Sequence, residues 1–289
     1  MRSMDIVHDV AGVRGIVAAA RRAGRRIGLV PTMGYLHAGH LSLVEAARHD
    51  ETFTVVSIFV NPTQFGPNED YDRYPRDEAG DLRRCEDAGV ELLFLPDARE
   101  MYRADAVTTV HVAHLTETLC GPCRPGHFDG VATVVSKLFN IVQPDAAYFG
   151  QKDAQQLAVL RRMVRDLDFP IEIVGCPTVR EPDGLAMSSR NAMLLADERR
   201  RALVLYRALC EARERIEGGE RDPAAVLSQM ERVVATGDPA GVDYISIVDP
   251  ESMQPVQRIE GPVLIALAVR IGGTRLIDNA LVDPHEQTA

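Results

Sequence analysis

Two imidazoles three residues apart, in the tetrapeptide His37-Ala38-Gly39-His40, stand where an apolar stretch should turn into a helix. Ile27 to Val30 reads as a short buried strand and Pro31-Thr32-Met33-Gly34 as the turn that leaves it. Leu41, Val44 and Ala47 then mark the apolar side of a helix. Side chains on the first turn of that helix lie beside unpaired N–H groups and the positive end of the dipole, a setting that favours a phosphate. Glycines at 34 and 39 remove the side chains that would hold a triphosphate away from the backbone.

Other polar groups follow strand ends. Asn61-Pro62-Thr63-Gln64 closes an apolar run, and its amides can hold a small hydroxy acid or satisfy their own loop. Gly150-Gln151-Lys152-Asp153 begins another helix. A lysine there opposes the dipole unless an anion lies between them; otherwise it is a solvated side chain beside an Asp153 cap. Met187-Ser188-Ser189-Arg190 offers two hydroxyls and a guanidinium that can wrap phosphates, or simply cap a turn. Arg124 and His127 can face a carboxylate or brace their own glycine-rich loop. Glu69, Asp70, Asp72, Asp77, Glu78 and Asp81 form an acidic stretch of surface or helix-start charges, of which Mg²⁺ bound to phosphates needs one or two. His111, His114, Cys120, Cys123 and His127 are zinc-ligand types. Their spacing is irregular and no second CxxC follows, so reduced, unmetallated thiols are the expectation.

Alternating strands and helices are needed to position these groups. Thr52–Val60, Val90–Leu95, Ala146–Phe149 and Ile171–Val174 read as strands. Helices are expected over 77–88, 130–142 and 154–167. The pattern predicts an α/β fold with a doubly wound, Rossmann-like parallel sheet over residues 1–180, whose ligands bind beyond the carboxyl ends of the strands. After the turn-rich stretch Arg180–Gly184, a helix over 197–217, a second after Asp222-Pro223 and strands at 242–248, 263–269 and 274–281 predict a smaller α+β domain, 181–289. The residues after Pro284 are expected to fray. The 32 basic and 42 acidic residues give a net charge of −10, which argues against a nucleic-acid binder. No apolar run reaches the roughly 20 residues of a membrane span and the N-terminus has no signal-like core, so a cytoplasmic protein is expected.

With Pro31–Gly34, His37 and His40, the stretch FVNPTQFGPNEDYDRYPR from Phe59, RPGHFDGV from Arg124, FGQKDAQQL from Phe149 and MSSRN from Met187, the chain closely resembles the pantoate–β-alanine ligase family. Its histidine pair is similar to the HIGH-type signature of adenylate-forming enzymes. The resemblance implies ATP-dependent joining of pantoate to β-alanine through a pantoyl adenylate, in a homodimer with Mg²⁺. It implies an ATP site made of Met33, Gly34, Tyr35, Leu36, His37, Ala38, Gly39, His40, Gly150, Gln151, Lys152, Asp153, Val179, Met187, Ser188, Ser189 and Arg190, with His40 the residue usually named catalytic. Gln64 would hold pantoate and lie near β-alanine, and Gln156 would hold pantoate. Asn61, Tyr74, Arg124 and His127 would line the pocket, with Asp81 the surviving acid at the family's metal position, where Gly80 replaces a second one. His37, His40, Lys152 and Arg190 are the expected stabilisers of charge on the phosphates and departing pyrophosphate. The Met187–Arg190 segment is the candidate lid. A nucleotidylyltransferase needs more cations for a phosphorylated acceptor than these amides provide. A nucleotide sensor has no use for leaving-group stabilisation. A dinucleotide dehydrogenase lacks its GxGxxG.

Overall fold

The computed structural model describes residues 4–67 and 69–285. Residues 286–289, on which most of the expected fraying falls, lie outside them, as do Met1–Ser3 and Asn68. In chain order the elements are β1 (Asp5–Val7), α1 (Val10–Arg22), β2 (Ile27–Thr32), α2 (Ala38–His49), β3 (Phe53–Ile58), α3 (Glu78–Asp87), β4 (Leu92–Phe94), α4 (Ala98–Met101), α5 (Cys120–Cys123), α6 (His127–Val142), β5 (Ala146–Gly150), α7 (Ala154–Asp166) and β6 (Glu172–Cys176). They continue with α8 (Ala196–Arg201), α9 (Val204–Glu217), α10 (Pro223–Ala235), β7 (Gly241–Val248), β8 (Val263–Ile271) and β9 (Thr274–Val282).

Strands β1 to β6 form one parallel sheet in the order β1-β4-β3-β2-β5-β6. Helices α2 and α3 bury Leu43, Val44, Ala47 and Cys85 against Val30, Val56, Leu93 and Tyr148 of the sheet, while α1 packs with α6 against β2. Because β2 is flanked by β3 on one side and β5 on the other, the strand order reverses there. The turns leaving β2 and β5 therefore emerge side by side at the sheet's carboxyl edge, the place such sheets bind ligands. Strands β7, β8 and β9 form a separate antiparallel sheet, covered by α9 and α10 through Leu205, Leu209, Val226 and Met230.

The chain divides into two units. One comprises the stretch to Val112, Arg124–Gln151 and Val159–Val179. The other comprises Ala113–Cys123, Lys152–Ala158 and the chain from Arg180. The second unit thus takes in two stretches that the sequence reading places in residues 1–180. Their polar side chains explain this. The Gln155 amide accepts from Cys120 N at 2.9 Å and donates to Leu115 O and Thr118 O, while Thr118 Oγ1 donates to Met253 O.

Two expectations need correction. The single helix over 197–217 is two, because Leu203 N and Leu205 N bond three residues back, to Arg200 O and Ala202 O, tightening the chain between α8 and α9. The chain before residue 27 carries β1 and α1, which the sequence reading did not place. Among the described residues no helix is long and apolar enough to cross a membrane.

Candidate active site

The turn after β2 is shaped by two backbone demands. Gly34 sits at φ +81 and Tyr35 at φ +50. A Cβ on Gly34 would lie 2.9 Å from Ile58 Cγ2 and 3.0 Å from Asp81 Oδ2, so only glycine fits. Asp81, on the buried side of α3 and 2% exposed, accepts from Tyr35 N through Oδ2 and from Leu36 N through Oδ1, both at 2.7 Å. Burial raises its pKa, and those two N–H bonds pull the other way. Asp81 therefore fastens the loop that leads into α2.

His37 is the N-cap of α2 and His40 its third residue. Gly39 N donates to His37 Nδ1 at 3.1 Å, and His37 N donates to His40 Nδ1 at 3.3 Å, a reciprocal cap made of two imidazoles. The rings lie with centroids 4.1 Å apart. Because each Nδ1 accepts a backbone proton, these bonds assign the neutral Nε2–H tautomer to both rings.

The turn after β3 is held from several sides. Asn61 is 1% exposed and donates its amide to Gln64 Oε1 and Gly130 O, each at 3.1 Å. Its Oδ1 accepts from Tyr102 Oη at 2.8 Å and from Thr63 Oγ1 at 3.0 Å. Both amide hydrogens are used, one of them on Gln64 Oε1, so Asn61 holds the Gln64 side chain in place. A Cβ on Gly130 would lie 2.4 Å from Thr63 O and 2.7 Å from Gln64 Cα, so α6 presses its glycine directly on this turn. Gln64 donates from Nε2 to Met33 Sδ at 3.1 Å, which joins the loop after β2 to the turn after β3.

Behind Gln64, its carbonyl accepts from His127 Nδ1 at 2.9 Å and from Arg124 Nη2 at 3.2 Å, and Arg124 Nη1 donates to His127 Nε2 at 3.0 Å. Arg124 also clasps Glu69, with Nε to Oε1 at 2.8 Å and Nη2 to Oε2 at 2.5 Å. Burial alone would raise the Glu69 pKa, but the Arg124 hydrogen bonds and charge outweigh it and hold the carboxyl below its ordinary range. Arg124 and His127 thus act on Gln64. Tyr74 is buried with its ring edge-on to Phe65. Tyr102 and Glu69 were missed as site residues. Tyr102, whose half-buried phenol has a pKa raised by burial, had no motif to mark it, and Glu69 looked like one more acid in a charged loop.

Gly150 ends β5 and Gln151 opens a short turn, both in the first unit. In the second unit, the Lys152 ammonium lies 3.9 Å from Asp153 Oδ2, and its carbonyl accepts from Asn279 Nδ2 at 2.8 Å. Gln156 is half-buried on the first turn of α7. Ser188 Oγ caps the 3₁₀ turn Ser189–Met193 by accepting from Arg190 N at 3.3 Å, and Ser189 is buried. Val179 lies half-buried in the loop after β6, in the first unit. His111 pairs with Asp129 and His114 with Glu117. Among the described residues no three His, Cys, Asp or Glu side chains are gathered to hold a metal ion.

The sequence model of the Pantoate-beta-alanine ligase family matches residues 5–281. A pantothenate synthetase of Moorella thermoacetica is 56% identical over 283 residues, covering 98% of this chain and all of that protein. One from Heliobacterium modesticaldum is 58% identical over 277 residues, covering 95% and 99%. The crystal structure of pantothenate synthetase from Thermus thermophilus superposes with a TM-score of 0.91 at 51% identity, covering 96% of this chain and 99% of that one. A pantoate-beta-alanine ligase from Francisella tularensis, complexed with beta-gamma ATP and beta-alanine, gives 0.80 at 32% identity, covering 98% and 100%.

Proposed function

The chain belongs to the pantoate–β-alanine ligase family and is a ligase that condenses pantoate with β-alanine using ATP, and we propose how its residues divide that work. The pantoate carboxylate attacks the α-phosphate of ATP, forming pantoyl adenylate and releasing pyrophosphate. The neutral amine of β-alanine then attacks the acyl carbon, forming the amide of pantothenate and releasing AMP.

Met33 to His40 receives the phosphates, with the His37 and His40 Nε2–H groups donating to phosphate oxygens. Their tautomer suits stabilisation of developing negative charge, and the departure of pyrophosphate needs no proton from either ring. Gly150, Gln151, Lys152, Asp153, Val179, Met187, Ser188, Ser189 and Arg190 complete the nucleotide contacts, Lys152 and Arg190 adding positive charge. Gln64 and Gln156 orient pantoate, Gln64 also facing β-alanine. Asn61, Arg124 and His127 act as positioning residues through Gln64. Closure of the Met187–Arg190 segment would keep water from the acyl adenylate. Mg²⁺ enters as part of the ATP substrate. Each Asp81 oxygen already accepts a backbone N–H, so any Mg²⁺ it met would share oxygens that hold the loop. The resemblance supports a homodimer, which light scattering on the purified protein would test, and the five free cysteines suit a reducing cytoplasm.

The observation that carries this reading is the Gln64–Met33 contact, which couples a phosphate-type loop to an amide-lined turn at the carboxyl edge of a parallel sheet. The test is exchange of labelled pyrophosphate into ATP without β-alanine. Exchange that requires pantoate is the expected result. ATP binding with no exchange, or exchange indifferent to pantoate, would contradict it.

A further inference from the structure

The sequence Cys120-Gly121-Pro122-Cys123 is the one motif that ATP, pantoate and β-alanine leave unused. It forms α5, a single helical turn of the second unit, and both thiols are free. The turn is firmly held. Leu119 before it adopts φ +51, and a Cβ on Gly121 would lie 1.7 Å from Thr116 O. Cys120 N is bonded to Gln155 Oε1 at 2.9 Å.

Both sulfurs gather around one ion pair. Arg275 donates from Nη2 to Cys120 Sγ at 3.5 Å and from Nε to Asp243 Oδ2 at 2.6 Å. Tyr244 Oη lies 3.3 Å from Cys120 Sγ, and Cys123 Sγ donates to Asp243 O at 3.8 Å. Cys120 is buried with its sulfur against the Arg275 guanidinium, and Cys123 is exposed. The remaining cysteines differ. Burial raises the pKa of Cys85, to about 12, and of Cys176, as it does that of Cys123, but none of Cys85, Cys176 and Cys210 has a second cysteine at this spacing.

We propose that Cys120 and Cys123 are a reversible dithiol–disulfide site that reacts with low-molecular-weight disulfides. Residues three apart on a helix place their Cβ atoms about 5–6 Å apart, and a disulfide needs about 3.5–4.5 Å, so one turn tightening by about 1–2 Å closes the bond. The exposed Cys123, as its thiolate, attacks the small disulfide R–S–S–R, forming a mixed disulfide and releasing RS⁻. The Cys120 thiolate, held beside Arg275, then attacks the Cys123 sulfur and releases the second RS⁻. Two electrons pass from the protein dithiol to R–S–S–R, and the two thiol protons end on two RSH.

The test treats the full-length protein with oxidised glutathione, alkylates the remaining thiols, and weighs the tryptic peptide spanning residues 104–137, which holds these two cysteines and no other. The expected product is that peptide lighter by two hydrogens and without alkyl groups, restored by dithiothreitol. Cys120→Ser, checked for folding by circular dichroism, should stop at a glutathione adduct on Cys123. Arg275→Lys, which keeps a cation but loses the forked contact, should slow ring closure several-fold. A peptide that takes two alkyl groups after oxidation, or a stable glutathione adduct in the wild-type protein, overturns the proposal.

Discussion

Replacing Glu69 by glutamine removes the charge that Arg124 clasps while keeping the shape of the side chain. The pair is bidentate, at 2.8 and 2.5 Å, with side chains 11% exposed for Arg124 and 24% for Glu69. Breaking a fully buried pair costs about 3–5 kcal/mol and breaking a surface pair about 0–1, so this partly sealed one should cost about 2 kcal/mol. Arg124 and His127 both hold the Gln64 carbonyl. If about 1.4 kcal/mol of that loss appears as misplacement of Gln64, the KM for pantoate rises about tenfold. Urea unfolding and pyrophosphate-exchange kinetics measure the two effects, with the KM for ATP staying within about twofold of wild type. The sign with pH follows from the lowered Glu69 pKa. Its stabilisation is fully present above the unfolded carboxylate value of about 4.3 and is lost as pH falls through the lower folded value. Glutamine does not titrate, so the stability gap between the two proteins should narrow below about pH 4. An unchanged pantoate KM, or a gap constant down to acid unfolding, refutes the reasoning.

Three further outcomes follow from the same contacts. His37→Asn keeps a good N-cap on α2 but removes an imidazole donor, so the urea midpoint should shift by no more than about 0.5 kcal/mol equivalent while the exchange rate falls about a hundredfold. Gly130→Ala drives a methyl into Thr63 O and Gln64 Cα. It should cost about 1–3 kcal/mol in thermal unfolding and raise the KM for pantoate while leaving ATP binding intact. Asp278→Asn breaks a bidentate pair with Arg180, at 2.7 and 3.0 Å, in which Asp278 is 2% exposed. It should cost about 3–5 kcal/mol in urea unfolding, with early proteolytic cleavage in the second unit.

Strands β2, β3 and β5 were legible within a residue or two because they are buried, apolar runs bounded by Pro, Asn or Gly. The Thr52–Val60 reading exceeds β3 at both ends because Phe59 and Val60 continue the apolar pattern after strand pairing stops at Ile58. Strand β1, three residues at a sheet edge, carries too little pattern to stand out. Helix α1 did offer a signal, with Val10, Val13, Val17 and Ala20 on one face and Asp9 as its cap. In the site, the spacing of His37 and His40 pointed to a helix start, but histidine is an uncommon cap and the reciprocal bond shows only in coordinates. The partnerships Asp81–Leu36, Tyr102–Asn61 and Glu69–Arg124 join residues 45, 41 and 55 positions apart. No local periodicity encodes such contacts, so side chains that fasten the site looked like ligands or ordinary surface charge.

The first turn of α2, capped by its own two histidines, is expected to receive the phosphates of ATP at the carboxyl edge of β2 and β5. A crystal structure of the protein with a non-hydrolysable ATP analogue and pantoate measures this directly. His37 and His40 Nε2 are expected at about 2.7–3.2 Å from phosphate oxygens, with the pantoate carboxylate facing the α-phosphate from the Gln64 side. A nucleotide bound elsewhere, or rings whose Nε2 atoms face away from the phosphates, would contradict it.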